Sequence, residues 1–359
     1  MHEDFVLGHS SFPKRCFKMK LIKFCALSLV FIPLVASSAS FMTPGQAVKS
    51  GCTSGTTKSP ELVGPFAAHH LLSAPDTLRR RLGEARRVIA APGENTPWVR
   101  VYGSRWKAAS KALVPGFKLN EGVVEVGLDH QFDATLVGAF VDYVHADSKK
   151  DGDTKVKSRG GRAGLYVTHN FDSGVWIDVV GRVGFDRNRM RYKKNEHGVM
   201  AEVSGIEGVY GNLSVETGRS FEIVDTWRVE PQFQVVFSRS GKVTMTDAFG
   251  DRIEVKAHSD VTTRLGALVE KSLTDPSGSD IRAYVKLAWE RHWSKTQDIK
   301  SNDEQYAMAP DWKGNRFIYG LGIEGTLGKK HTWHASVEQS RGGAFRNDVR
   351  VDLGMRLQF

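Results

Sequence analysis

Arg79, Arg80, Arg81, Arg86 and Arg87 crowd into a short stretch, and downstream of it acids recur in one phase of an alternating pattern: Glu125, Asp129, Asp178, Glu216, Glu230, Glu270, Glu290, Glu324 and Glu338. Guanidinium and carboxylate groups in such numbers can form bidentate, charge-assisted pairs, which bind segments firmly when partly removed from water. Little else is equipped for chemistry. His130, His292 and His334 are scattered, and no spacing singles out a nucleophile and its base. His69 and His70 are adjacent, and adjacent residues rarely share one metal; no carboxylate or thiolate partner accompanies them. No glycine-rich phosphate loop occurs. These residues point away from an enzyme and toward neither a cofactor nor a metal.

The totals narrow the class. The chain has 359 residues, 40% apolar and 25% charged, with a formal net charge of +10. The basic residues are spread over the first segment, one helix and the loops, without an aromatic-interleaved patch, so no nucleic-acid partner is expected. Of the three cysteines, Cys16 and Cys25 lie in the leader and Cys52 would remain alone, so no internal disulfide or thiolate metal cluster is expected. After residue 36 no apolar run reaches about 18 residues, so no transmembrane helix is expected in the mature chain. A β-barrel is not excluded, because its spans are short and only half apolar.

The elements follow in order. Lys14, Arg15, Lys18, Lys20 and Lys23 precede the apolar run "FCALSLVFIPLVA" and the small residues Ser37, Ser38 and Ala39. Residues 1–39 therefore read as a secretory signal peptide, with Met19 as an alternative start. The run is too short for an anchor, and Pro33 interrupts it. Residues 40–69, rich in Ser, Thr, Gly, Pro and Lys, read as a linker or vestigial passenger, too few for a folded domain without staples. Residues 70–96 hold a helix and a linker. Leu78, Leu82, Ala85 and Ile89 recur at helical spacing over roughly 74–91, with Ser73 or Asp76 as cap and Pro92-Gly93 as stop.

From 97 to 359 the period becomes two. Candidate strands span 97–106, 122–132, 134–145, 159–171, 174–186, 206–221, 226–239, 260–273, 280–293, 315–327, 331–341 and 347–359. Their connections alternate between long and short, as in a membrane barrel with tight turns on one rim. With about twelve strands the interior is too wide for side chains alone to fill. The apolar face is then expected to meet lipid and the polar face a wet lumen. Trp98, Trp106, Trp176, Trp227, Trp293, Trp333 and Phe359 are expected near the interfaces, Trp176 in the luminal phase. Pro231 predicts a local irregularity near the inner rim. The predicted fold is an all-β, twelve-stranded antiparallel transmembrane β-barrel.

Two arrangements satisfy the charges. The arginine helix can thread the lumen and meet the acids there. Alternatively it stays outside, and luminal bases such as Arg182, Arg264, Lys286 and Arg356 balance the acids. The charge pairing favours an N-terminal α-helix in the lumen.

Residues 70–359 resemble the translocator barrel of autotransporters, the type V secretion family. The resemblance rests on the helix "TLRRRLGEARR", the first strand "WVRVYGSRW", the pair "GVVEVGLDHQF" and "GAFVDYVHAD", the phrase "WRVEPQFQVVFS" and the terminal "DLGMRLQF". It implies a Gram-negative outer-membrane barrel with a pore helix joined to an N-terminal passenger. Expected partners are outer-membrane lipid, the barrel assembly machinery, periplasmic chaperones and the chain's own passenger segment, with the barrel a monomer. The last strand resembles an outer-membrane assembly signal at Asp352, Gly354, Leu357 and Phe359. The chain departs from the family in two ways: few residues are available for a passenger, and "LLSAPDTLRRRLGE" lacks the Asn-Asn pair at which some members cleave themselves. The function expected is translocation or anchoring of a passenger at the cell surface. A pore or surface-loop adhesin, and an outer-membrane hydrolase, are the alternatives.

Overall fold

The computed structural model describes residues 77–82, 93–108, 116–150, 154–193, 200–247, 250–274, 280–294, 298–301, 304–306, 313–327 and 331–358. The leader and linker, His69 and His70, most of the expected helix with Arg86 and Arg87, and Phe359 lie outside the described residues.

A short helix, α1 (Leu78–Leu82), precedes the strands. These are β1 (Asn95–Ala108), β2 (Phe117–Phe132), β3 (Thr135–Lys150), β4 (Thr154–Asn170), β5 (Val175–Lys193) and β6 (Met200–Arg219). There follow β7 (Phe221–Val224), β8 (Trp227–Ser240), β9 (Val243–Thr246), β10 (Arg252–Val255), β11 (His258–Thr274) and β12 (Asp280–His292). The last are β13 (Ile299–Ser301), β14 (Glu304–Tyr306), β15 (Gly314–Leu327), β16 (His331–Arg341) and β17 (Phe345–Leu357).

Twelve of these close a ring: β1 to β6, β8, β11, β12 and β15 to β17, each antiparallel to its neighbours. The last strand pairs with the first, from Trp98 opposite Arg356 to Ala108 opposite Phe345. Each of these twelve ring strands is thus paired on both sides, the condition for crossing a bilayer with strands.

Alternation decides which face looks where. On β2, Val124 and Leu128 are each 49% exposed on the outside, while Glu125 is fully buried inside. On β17, Val351 and Leu353 point outward and Asp352 and Arg356 inward. Five connections between ring strands form one rim of short turns. At the opposite rim the segments between β8 and β11 and between β12 and β15 are long, and they pair as a second sheet in the order β14-β13-β10-β9. The β16–β17 connection on that rim is short, and Gly342 and Gly343 (φ 94° and 70°) supply the left-handed backbone it needs.

Several expectations change. β4, β5 and β6 run five to seven residues further toward the long-loop rim than the alternation predicted. Past the apolar band the pattern inverts: Val156, Met190 and Tyr192 turn inward and charged residues turn outward, so the lipid-facing signal stops while the ladder continues. Val156, Met190 and Tyr192 pack with Val243, Met245, Ile253, Val255 and Ile299 of the loop sheet. Alternation predicts no strand there, because each strand of that sheet holds at most two apolar positions.

Trp98 and Trp106 are luminal, not interfacial: both are buried. Trp98 lies opposite Gly127, where an added Cβ would come within 2.4 Å of the indole. Tyr284 lies against Gly322 in the same way. Glycine gives the ring room to lie over the neighbouring strand, an aromatic–glycine device that pins register. Trp227 and Trp293 do face outward. The β6–β8 ladder stops at Gly218 opposite Gln232, beside Pro231, and β7 then pairs with β8 through a register shift. That is the irregularity expected at this proline.

Candidate functional site

The site is the lumen, and α1 is its centre. Thr77 caps the helix: its hydroxyl accepts from the Arg80 amide (3.3 Å), and its carbonyl accepts from the Arg81 amide (3.1 Å). The wall completes the cap, because the Leu78 amide donates to Glu216 Oε2 of β6 at 2.7 Å. A carboxylate at a helix N-terminus meets otherwise unsatisfied N–H groups. Leu78 itself packs among Trp98, Leu136, Phe140, Tyr166, Trp176 and Val180.

Three consecutive arginines then grip different walls. Arg79 donates to Glu324 of β15 at 2.8 Å and to Glu270 of β11. Arg80 makes a two-pronged pair with Glu338 of β16, with Nε to Oε1 at 2.9 Å. Arg81 donates to Asp178 of β5 at 2.7 Å. Two of the three also stack on aromatic rings: Arg79 lies 4.6 Å from the Tyr284 ring centre, and Arg81 lies 4.3 Å from that of Tyr166. The His334 ring meets the Arg80 carbonyl at 3.1 Å, and since a carbonyl only accepts, Nε2 must carry the proton.

All nine acids named from the sequence are buried on the luminal side. Asp178, Glu216, Glu270, Glu324 and Glu338 touch α1. The others are held by the wall. Glu125 faces Arg100 (3.4 Å) and Arg182 (3.2 Å). Asp129 pairs with Arg356 and accepts from the Trp98 indole at 3.1 Å. Glu290 pairs with Arg316 and with His292 at 2.8 Å. Glu230 accepts from Gln232 at 2.9 Å. The helix therefore lies inside, and luminal bases share its acids: Arg264 shares Glu216 with the helix amide (2.7 Å), and Lys286 shares Glu338 with Arg80 (3.0 Å).

Sequence reasoning missed a further layer. Arg100 of β1 holds Asp352 of β17 at 2.5 and 2.9 Å, directly across the closing seam, and Arg350 joins at 2.9 Å. Arg162 pairs with Asp142 at 2.7 Å and donates to the Tyr102 hydroxyl at 2.7 Å. These residues lie in the same luminal phase as the acids, so the phase was the available signal. Of the proposed assembly residues, Asp352 is luminal, Gly354 lies opposite His334, Leu357 lies opposite His331, and Phe359 lies outside the described residues.

Among the described residues, the histidines that the sequence singled out lie in hydrogen-bonded contacts. His130 contacts Asn95 (2.8 Å), and His292 contacts Glu290 and Thr262. His258 meets Ser294 at 3.1 Å, but among the described residues no third group hydrogen-bonds the ring to orient it as a base. Among the described residues no cluster of His, Cys, Asp and Glu is disposed to hold a metal ion.

The model of the autotransporter beta-domain family matches residues 97–338. The chain is 27% identical over 292 residues to the BrkA autotransporter of Bordetella pertussis, across 80% of this chain and 28% of that protein. It is 27% identical over 283 residues to the pertactin autotransporter of Bordetella bronchiseptica, across 74% of this chain and 29% of that protein. It thus spans less than a third of the length of these relatives. The crystal structure of the Bordetella BrkA β domain superposes with a TM-score of 0.62 at 25% identity, covering 74% of this chain and 99% of that one. The translocator domain of NalP from Neisseria meningitidis superposes at 0.64 and 13% identity, covering 84% of this chain and 100% of that one, a likeness of fold alone.

Proposed function

This chain belongs to the autotransporter beta-domain family, an outer-membrane type V secretion barrel, and from that premise we propose that its lumen conducts the chain's own N-terminal segment to the cell surface and then keeps α1 as a plug. The observation that supports this is the fan of Arg79, Arg80 and Arg81 onto Glu270, Glu324, Glu338 and Asp178. A helix held from several walls stays put after transit. Its N-terminal end continues into the segment that would be displayed.

Delivery would require a signal peptide over 1–39, periplasmic chaperones and the barrel assembly machinery, with the barrel acting as a monomer. The role proposed is transport and anchoring, without catalysis, cofactor or metal. The engagement of His130, His292 and His334 in structural hydrogen bonds supports that.

A tag inserted near Ser50 tests the proposal. Protease added to intact cells should remove it while the barrel persists. A tag that stays protected until the outer membrane is opened would sink the transport reading. Detergent-activated lipase activity in the purified barrel would overturn the non-catalytic part.

A further inference from the structure

The outward face of β4 and β5 changes character within two residues. Leu165 and Val167 of β4, and Val179, Val183 and Phe185 of β5, are exposed apolar side chains of the membrane band. Beyond Phe185 the outward residues of β5 are Arg187, Arg189 and Arg191, and those of β4 at the same level are Arg159, Lys157 and Lys155. The register sets them face to face: Arg159 opposite Arg187, Lys157 opposite Arg189, Lys155 opposite Arg191. Lys149 of β3 in turn faces Lys155.

Like charges directly opposite destabilise a ladder, so three such rungs in succession call for a counter-charge. Some is supplied within the chain. Glu207 pairs with Arg187 at 2.7 Å, and Glu202 lies 3.2 and 3.4 Å from Arg189 and Arg191. Asp147 faces Lys157. Among the described residues Lys155, Lys157 and Arg159 make no ion pair. Asp151, Asp153 and Glu196 of the adjoining loops lie outside the described residues.

The rungs are also held rigidly. The inward residues between them, Val156, Met190 and Tyr192, are buried against the loop sheet. Arg187 begins about 7 Å along the strand from Phe185, where the apolar band gives way to the headgroup layer. The rim is the one with long loops, which in such barrels faces the outside of the cell.

We propose that this cationic ladder binds the phosphate groups of a phosphorylated lipid in the outer leaflet around the barrel. Arginine forks match phosphate oxygens in two-pronged geometry, and basic residues just outside the hydrocarbon layer are drawn to anionic headgroups. Continuity with the apolar band favours a lipid over a soluble anion, since the same strands would hold its acyl chains. The inference rests on the outer-membrane placement and not on export, so a failed display assay leaves it standing.

The test uses the full-length chain refolded in a neutral detergent, with retained lipid read by native mass spectrometry. Three probes are compared: lipid A bearing two phosphates, the same lipid stripped of phosphate, and inorganic pyrophosphate. The phosphorylated lipid should be retained, and the other two should not at equal concentration. The variant K155Q/K157Q/R159Q should retain it at least about tenfold less well. The variant R105Q/K118Q/R346Q, which removes three outward cations from another sector of the same rim, should retain it normally. All six mutated side chains are exposed, so both variants should fold, as heat-modifiable migration checks. Equal retention by K155Q/K157Q/R159Q, equal loss in both variants, or equal binding of the stripped lipid or of pyrophosphate would overturn the proposal.

Discussion

Asp178 and Glu338 stand on opposite walls of the barrel, on strands six apart whichever way the ring is followed, and consecutive residues of one helix bind them. Arg81 takes Asp178 and Arg80 takes Glu338. A helix held at both ends of a diameter divides the lumen, and neither pair can be released without the other bearing the load. Plugging therefore depends on side-chain geometry as well as on helix volume.

Removing the grip should open the pore. The variant R79Q/R80Q/R81Q leaves polar, shorter side chains and deletes their charge. In planar bilayers its conductance should rise at least about threefold, since an unplugged barrel of this strand number encloses water. An unchanged conductance would mean that volume alone closes the lumen.

How much of this was legible before the structure differs by residue. The lipid face was legible in Val124, Val126 and Leu128, because the period-two pattern is written by the solvent on each side. So was the acid set, which shares the opposite phase. The partner of each acid was not legible, since pairing depends on register between strands distant in sequence, as with Arg100 and Asp352. Trp98 misled for a related reason. An aromatic near a strand end suggests an interface, and only the neighbouring strand reveals that Gly127 makes room for it inside. The outward cations of β4 and β5 were hidden by the loss of the apolar signal that marked the strands below them.

The seam pair should couple measurably. Asp352→Asn removes the carboxylate that Arg100 and Arg350 share, leaving Arg100 facing Glu125 at 3.4 Å, and should cost about 3–5 kcal/mol of stability, the usual penalty for breaking one side of a buried pair. Adding Arg100→Gln should recover part of that, with a coupling of about 1–3 kcal/mol. Urea unfolding of the barrel refolded in detergent measures both. Strict additivity would show that the pair contributes nothing to closure. The same refolding, free of any assembly machinery, separates a seam defect from a signalling one: a D352N barrel that refolds with full stability but fails only in cells would mark Asp352 as recognised by the machinery.

The aromatic–glycine contact should be intolerant of a single methyl. Gly127→Ala places a Cβ within the space of the Trp98 indole. Displacing the ring disturbs its hydrogen bonds to Asp129 (3.1 Å) and Tyr166 (2.8 Å). A loss of about 1–3 kcal/mol is expected. Trp98→Leu in the same chain should relieve the clash and make the alanine nearly neutral. If G127A alone leaves the unfolding midpoint unchanged, the ring has freedom that the packing does not suggest.

The end of the chain should matter for assembly more than for stability. β17 pairs with β1 through Arg356 opposite Trp98 and with β16 through Leu357 opposite His331. Among the described residues the ladders of the seam run as far as Arg356 and Leu357. Deleting Phe359 should change the unfolding free energy of the refolded barrel, read from urea titration, by no more than about 0.5 kcal/mol, the scale of a peripheral substitution. In cells the same deletion should lower the yield of heat-modifiable barrel severalfold, because the terminal aromatic completes the pattern of Asp352, Gly354 and Leu357 that resembles an assembly signal. The two readings separate cleanly. A fall in both would make Phe359 a structural residue of the seam. An unchanged yield in cells would remove it from the signal altogether.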